Sequence, residues 1–504
     1  MPGPNELNKY SAGVGAIFIF NLIVGTGALT LPAVFSRAGW ALGTCIILIL
    51  GFMSFVTLTF VIESMASANA IITWQRIQNR KRERTAFEES ENEPSNSDSE
   101  DTPLVLQPGD DNPGRIDITS RYYLIDNKVE MGEMASMFFN KFGTILFYVC
   151  LATYLYGDLS IYAAAIGKSM VDVACTYRPL NITCNDTINV TEICWEGAHI
   201  TRMNAYHLFL TTFVSILGSF VFFDIQKTKY LQVLTSAMRW LAFAIMIIYA
   251  LRILIISGPR ASPSAANWLG IPGLFGACVY SFMCHHSLPA LIVPIADKSK
   301  LNRFLLFDYT LIASFYLLLA LTGSFAFKHL DDLYTLDFGP RGGGDCSTNT
   351  NIFMIIIEYF LALFPVFTLS TSFPIIAITL RNNLQSLFFY NLRDYNFCLR
   401  KLVFPFMAVI PPYIIAMSVD DLSTLVKITG SYAGVGIQYL VPTCLVYYAR
   451  NKTTSTIGLG VKNKFASPFI GTYWLIFVIV WAIACMILVS INFIGEHIGL
   501  EQSR

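Results

Sequence analysis

The chain has 504 residues, 54% of them hydrophobic and only 13% charged, about half the charged share of an ordinary soluble protein. Residues 76–133 hold 22 of the 68 charged side chains, so the other 446 residues are near 10% charged, too few to cover a soluble domain of that length. With a mean hydropathy of +0.54, this is the composition of a polytopic membrane protein, which excludes a soluble enzyme, a nucleic-acid binder and a disulfide-stapled secreted domain.

Residues 1–10 are a short polar head. The apolar run Ser11–Val34 is too long for a signal core and reads as a first span. Stretches of about 20 apolar residues then place eleven helices, at 11–34, 39–66, 142–172, 206–225, 230–256, 272–295, 304–327, 352–379, 402–418, 424–449 and 470–494. Between the second and third lies an insert, residues 74–130. It starts basic (Arg76, Arg80, Lys81, Arg82, Arg84) and turns acidic over Glu88–Asp111, with nine acids and no base. Such composition cannot bury enough apolar surface to fold alone, so the insert is expected to be disordered, with partners the sequence does not name. Its basic start is positive-inside flanking that can also touch anionic lipid.

Thirteen Lys and Arg residues fall in alternate short loops, among them Lys227, Lys298, Arg303, Arg381, Arg400, Arg450 and Lys464, against only Asp297 and Asp394. The opposite loops carry Asp331, Asp332, Asp337, Asp345, Asp420 and Asp421. Positive loops stay in the cytosol, which predicts a cytosolic N-terminus and a non-cytosolic C-terminus after eleven spans. The loop at 173–205 adds three glycosylation acceptor patterns, at Asn181, Asn185 and Asn189, on the side this topology places outside. Cys175, Cys184, Cys194 and Cys346 lie in outer loops too, where disulfides are permitted but their pairing is open.

No phosphate loop, metal-spaced Cys/His set or nucleophile elbow occurs, so an enzyme is not expected. The informative residues are those a membrane helix should avoid. In span one, Gly25 and Gly27 flank Thr26 at mid-span, where loosened backbone is tolerated only beside a protein cavity. The alternative is close helix packing by small residues. In span six, Ser281, Phe282, Met283, Cys284, His285 and His286 precede Leu288-Pro289, a polar, helix-breaking interruption. Spans one and six are the first helices of two five-helix halves, and paired breaks at corresponding positions point to a substrate site between inverted repeats. Asp158, deep in span three, is a functional candidate or the partner of a buried base such as Arg239. His285 and His286 are candidates for proton sensing or relay.

The run Asn21–Gly27 resembles the first-helix motif of the sodium-coupled neutral amino acid transporters, within the amino acid/auxin permease family. Cys284-His285 before Leu288-Pro289 is similar to their sixth-helix motif, one residue shorter here. Ser370–Pro374 resembles their eighth helix and Gly430–Pro442 their tenth. With the acidic insert and Asp224–Tyr230, the whole chain most resembles the transmembrane protein 104 family. The resemblance implies an all-α, eleven-helix fold with a 5+5 inverted repeat plus one helix. It also implies a sodium ion held by Asn21, Ser372 and Thr371, hard oxygens of the kind sodium prefers. The alternative for the span-eight hydroxyls is bonding to their own helix.

These readings converge on a secondary transporter of a small-molecule substrate, a neutral amino acid, with no cofactor beyond a coupling cation. The substrate's carboxylate meets amides freed around Gly25, Thr26, Gly27 and Ala28, and its amino group meets carbonyls of the span-six break. Sodium is favoured over the proton, for which Asp158, His285 and His286 are the titratable groups. The rival is a membrane-embedded amino acid sensor that recruits partners without net flux. Plasma and endolysosomal membranes stay equally open.

Overall fold

A computed structural model of the chain describes residues 9–91, 122–177, 189–197, 199–222, 229–338, 352–388, 399–419, 421–458 and 461–502. Among the described residues the architecture is all-α, with two isolated β-bridges, Tyr10–Ile295 and Ile193–Thr201. Among the described residues eight helices are long and apolar enough to cross a membrane, and a pair bent by 56° makes a ninth if it is one span. Helix is what such sequence must form, because lipid offers no partner to backbone N–H and C=O groups. The outward faces are apolar: Phe142 is 73%, Ile352 74% and Ile255 82% exposed. A surface of that kind is covered by lipid, not water.

The bent pair is α1 (Ala12–Ile23) and α2 (Thr26–Ala38), capped at its start by the Ser11 hydroxyl, which accepts from Val14 N–H. Next, α3 (Trp40–Glu91) continues far beyond the expected boundary at 66. The apolar window ends there but the helix does not. No Gly or Pro occurs between Gly51 and Pro94, and the Gln, Arg, Lys and Glu that follow Trp74 are strong helix formers.

The far end of the insert differs from expectation as well. Tyr123, Ile125 and Val129 are buried, and Asn127 pairs with Asn69 of α3: Asn127 N donates to Asn69 Oδ1 at 2.9 Å, and Asn69 Nδ2 to Asn127 O at 3.2 Å. A few apolar side chains against an existing helix suffice to order this stretch, although it has no core of its own. The acidic residues 92–111 lie outside the described residues.

The short α4 (Met131–Phe138) precedes α5 (Lys141–Ala174), which packs along α11 (Ile352–Phe388). Between them come α6 (Arg202–Gly218), α7 (Lys229–Ser257), α8 (Ile271–Ser281), α9 (Leu288–Ile292) and α10 (Leu301–Ala326). Then follow α12 (Phe404–Ser418), α13 (Leu422–Ile428), α14 (Val441–Ile457) and α15 (Thr472–Gln502). Two expected spans, 272–295 and 424–449, consist of shorter pieces. The first breaks between α8 and α9. The second runs from α13 to α14 through π-helical turns at Thr429–Gly434 and Gly436–Leu440. Those turns begin where the backbone of Gly430 meets that of Gly276 in α8; a Cβ at Gly276 would lie 2.6 Å from Lys427 O. Widened turns are a common response to such close approach.

Cys175 and Cys194 form a disulfide that ties the end of α5 to the following loop. Asn189 is exposed in that loop, whereas Asn181 and Asn185 lie outside the described residues. On the same face, Asp332 gathers three elements. Arg37 Nη2, near the end of α2, donates to its Oδ1 at 3.0 Å, Ser423 Oγ of α13 donates to the same oxygen at 2.7 Å, and Lys168 Nζ of α5 lies 3.6 Å from Oδ2.

Candidate functional site

The break in span one falls at Val24-Gly25, with Gly25 at φ −122° and ψ −141° as the N-cap of α2. The break in span six runs over Phe282–Ser287 between α8 and α9. One hydroxyl reaches both. Tyr316 Oη, from α10, lies 3.0 Å from Ile23 O and 2.9 Å from Ser281 O, the last carbonyls of α1 and α8. These carbonyls lose their helical partners at the breaks; Ile23 O accepts from Gly25 N at 2.9 Å, and the single Tyr316 hydroxyl proton serves one of the two carbonyls at a time.

Beside the breaks lies a cavity of about 240 Å³. Span one contributes Asn21 and Gly25–Gly27, α5 contributes Tyr154, Asp158 and Tyr162, and α7 contributes Arg239. Tyr280, Met283, His286 and Ser287 come from span six, with Ser372, Ile375, Ile376 and Thr379 from α11. Seven of the expected substrate, ion and coupling residues meet here: Asn21, Gly25, Thr26, Gly27, Asp158, His286 and Ser372.

The two glycines have different surroundings. A Cβ on Gly25 would meet nothing within 4 Å, whereas a Cβ on Gly27 would lie 2.5 Å from Ser281 Oγ and 2.6 Å from Ser281 Cα. Gly27 therefore lets α2 and α8 touch, the packing role weighed against unwinding, and Gly25 sits at the break itself. Thr26 and Gly27, whose N–H groups lead α2 and have no helical acceptor, lie at this wall, whereas Ala28 N donates to Gly25 O at 3.1 Å.

The other expected residues are elsewhere. Ala28 is fully buried in packing, and Ser281 Oγ donates to Ala277 O at 2.7 Å. Phe282 stacks on Tyr309 while its carbonyl accepts from Ser54 Oγ at 3.3 Å. Cys284 Sγ is 3.2 Å from Tyr309 Oη, and His285 Nε2 is 3.0 Å from Thr57 Oγ1. Phe282, Cys284 and His285 face α3 and α10, not the cavity, and Ser281 lies against Gly27 of α2. Thr371 Oγ1 donates to Thr368 O at 2.8 Å, the own-helix bond held open above, and Ser372 Oγ makes a longer one, 3.4 Å, to the same carbonyl.

Asp158 is paired differently from the suggestion that Arg239 neutralises it. Tyr280 Oη donates to Asp158 Oδ1 at 2.5 Å, and no ion pair joins the two charged residues. Arg239 Nη1 instead donates to the backbone carbonyl of Asn21, close to the C-terminal end of α1 where the helix dipole favours a cation. Both side-chain polar atoms of Asn21 are buried without a hydrogen-bond partner. The aromatic frame of the site was readable: Tyr154, Asp158 and Tyr162 follow at i, i+4 and i+8, one helical face. Among the described residues no cluster of three His, Cys, Asp or Glu side chains is arranged for a metal ion.

Comparison with known proteins agrees with this architecture. Residues 121–488 match the family described as transmembrane amino acid transporter protein. The chain is 51% identical to the transmembrane protein 104 homolog of Drosophila melanogaster, covering 97% of this chain and 98% of that one. It is 46% identical to human transmembrane protein 104 (96% and 97% covered) and 32% identical to the Dictyostelium discoideum homolog (97% and 98%). Identity of 32–51% over nearly the full length of both chains, with the family match over residues 121–488, leads to one conclusion: the chain belongs to the transmembrane protein 104 family, within the transmembrane amino acid transporter proteins.

Proposed function

We propose that the protein is a secondary active transporter of neutral amino acids that works by alternating access around the breaks in spans one and six. The observation that carries this reading is the convergence of both breaks, with Asp158 and Ser372, on one cavity. In this reading the eleven expected spans form two inverted five-helix halves and one further helix, the N-terminus is cytosolic, and the disulfide loop faces outward. The Asp332 knot then ties the outer ends of α2, α5 and α13 together, which supports a state closed on that face.

For the driving cation, each of two readings has its own observation. Sodium is supported by Asn21 Oδ1, buried and unpartnered, and by the Ser372 hydroxyl at the same wall. The proton is supported by Arg239, whose guanidinium already reaches the Asn21 carbonyl and would repel a second cation there. Its titratable groups at the wall are Asp158 and His286, faced by Tyr154, Tyr162, Tyr280 and Arg239.

Flux of labelled neutral amino acids into proteoliposomes tests the whole reading, with sodium and pH gradients varied separately. Saturable uptake is expected. Binding without flux would replace the carrier by a membrane-embedded sensor, and uptake that persists in choline but stops when the pH gradient is dissipated would remove sodium.

A further inference from the structure

Among the described residues Arg239 supplies the one guanidinium and Asp158 the one carboxyl group at the cavity wall, and no ion pair joins them. A guanidinium stays ionised, and a charge held in a membrane interior without a counter-charge is expensive. Each has a single neutral contact instead, the Asn21 carbonyl for Arg239 and the Tyr280 hydroxyl for Asp158. The guanidinium has five N–H donors in a fork suited to a carboxylate, and one bond to a carbonyl leaves most of them available. The rest of the wall is uncharged, with Leu22, Ile23, Met283, Ile375 and Ile376 supplying its apolar part.

We infer that Arg239 and Asp158 are the two poles of a zwitterion site. Arg239 and the leading amides of α2 hold the α-carboxylate of a substrate, and Asp158, steadied by Tyr280, holds its α-ammonium. This rests on the transporter reading for the site's use, but it is a claim about binding. It moves the amino-group partner from the span-six carbonyls to a carboxylate on α5. The ammonium itself favours the ionised form of Asp158. Two opposite charges and an otherwise neutral wall select a ligand of net charge zero, which excludes amino acids with charged side chains. A cavity of about 240 Å³ has room for about eight waters, enough for one small amino acid.

The test is equilibrium binding of tritiated alanine, glutamine, leucine and methionine to the detergent-purified full chain, alongside flux in proteoliposomes. For whichever amino acid binds, its decarboxylated amine and its deaminated acid are added as competitors. Neither should displace it at concentrations where the unlabelled amino acid does. Arg239→Gln and Asp158→Asn should each weaken binding about 10- to 100-fold, the loss of one charge-assisted contact. Arg239→Lys, which keeps the charge, should lose less. Binding within about threefold of wild type in either neutral variant, equal competition by the amine, or no binding of any panel member to wild type would overturn the site. If a variant is not monodisperse, the competitor series on wild type decides alone. Binding without flux would leave the zwitterion site standing and remove the carrier, whereas flux unaffected by Arg239→Gln would do the reverse.

Discussion

Glu63 of α3 accepts two parallel hydrogen bonds from Arg450 of α14, Nε to Oε1 and Nη2 to Oε2, both at 2.8 Å. Glu63 Oε2 also accepts from Ser467 N at 2.9 Å, so one nearly buried carboxylate joins span two, span ten and the approach to span eleven. Removing one partner of such a pair leaves the other charge uncompensated, a loss of about 3–5 kcal/mol. Glu63→Gln should therefore lower the thermal midpoint of the purified protein clearly. Arg450→Lys should also lower it, since an ammonium cannot reproduce the two-pronged contact. An unchanged midpoint in both variants would show that the pair adds no net stability.

Gly25 and Gly27 should separate by substitution. Gly27→Ala places a methyl group against Ser281 and should reduce the yield of folded protein. Gly25→Ala has open space and should express normally, while Gly25→Leu should reach the membrane yet lose substrate binding by filling the cavity. Normal binding by Gly25→Leu would separate the break from the site.

At the Asp332 knot, stability should depend on pH in two opposed ways. Burial alone would raise Asp332, but the hydrogen bond from Asp421, with Lys168, Ser423 and Arg37, outweighs it and holds Asp332 well below the usual carboxylate range. A depressed folded value means its contribution is present above the unfolded value of about 3.9 and is lost as pH falls below it. Neighbouring Asp337 goes the other way: burial first, then the charges of Asp331 and Asp332, push it well above its ordinary value. Its contribution is therefore lost as pH rises, so Asp337→Asn should raise the thermal midpoint at neutral pH and not near pH 4. Melting curves from pH 4 to 8 check this, and a gain that is equal at every pH would assign the effect to packing.

The loop after α5 should be glycosylated. Replacing Asn181, Asn185 and Asn189 together by Gln should abolish an endoglycosidase-sensitive shift in gel mobility. If protein from cells shows no shift to begin with, the outward placement of this loop rests on loop charge alone.

Much of the site was readable because a membrane interior makes certain residues costly. Glycines at mid-span, Asp158, and a His-His-x-x-Pro run stand out against apolar sequence, and the breaks occur at those places. What was not readable is direction. Within the non-helical stretch Phe282–Ser287 successive side chains follow no fixed period, so His286 reaches the cavity while His285 turns to Thr57 of α3. On α11, one residue is about 100° of rotation, and this places Ser372 at the wall and Thr371 off it. Arg239 could be noticed but not assigned, because its partner is a backbone carbonyl, and no side-chain pattern announces that.

The pinning of Asn127 to Asn69 has a consequence for the covalent chain. Tyr123, Ile125 and Val129 are held on the helical body by burial and hydrogen bonds, as α3 is on its own account up to the membrane edge. Continuity through residues 92–121 is therefore not what keeps these two stretches in register. A nick there, or co-expression of two fragments divided there, should leave pieces that find each other and rebuild the same bundle.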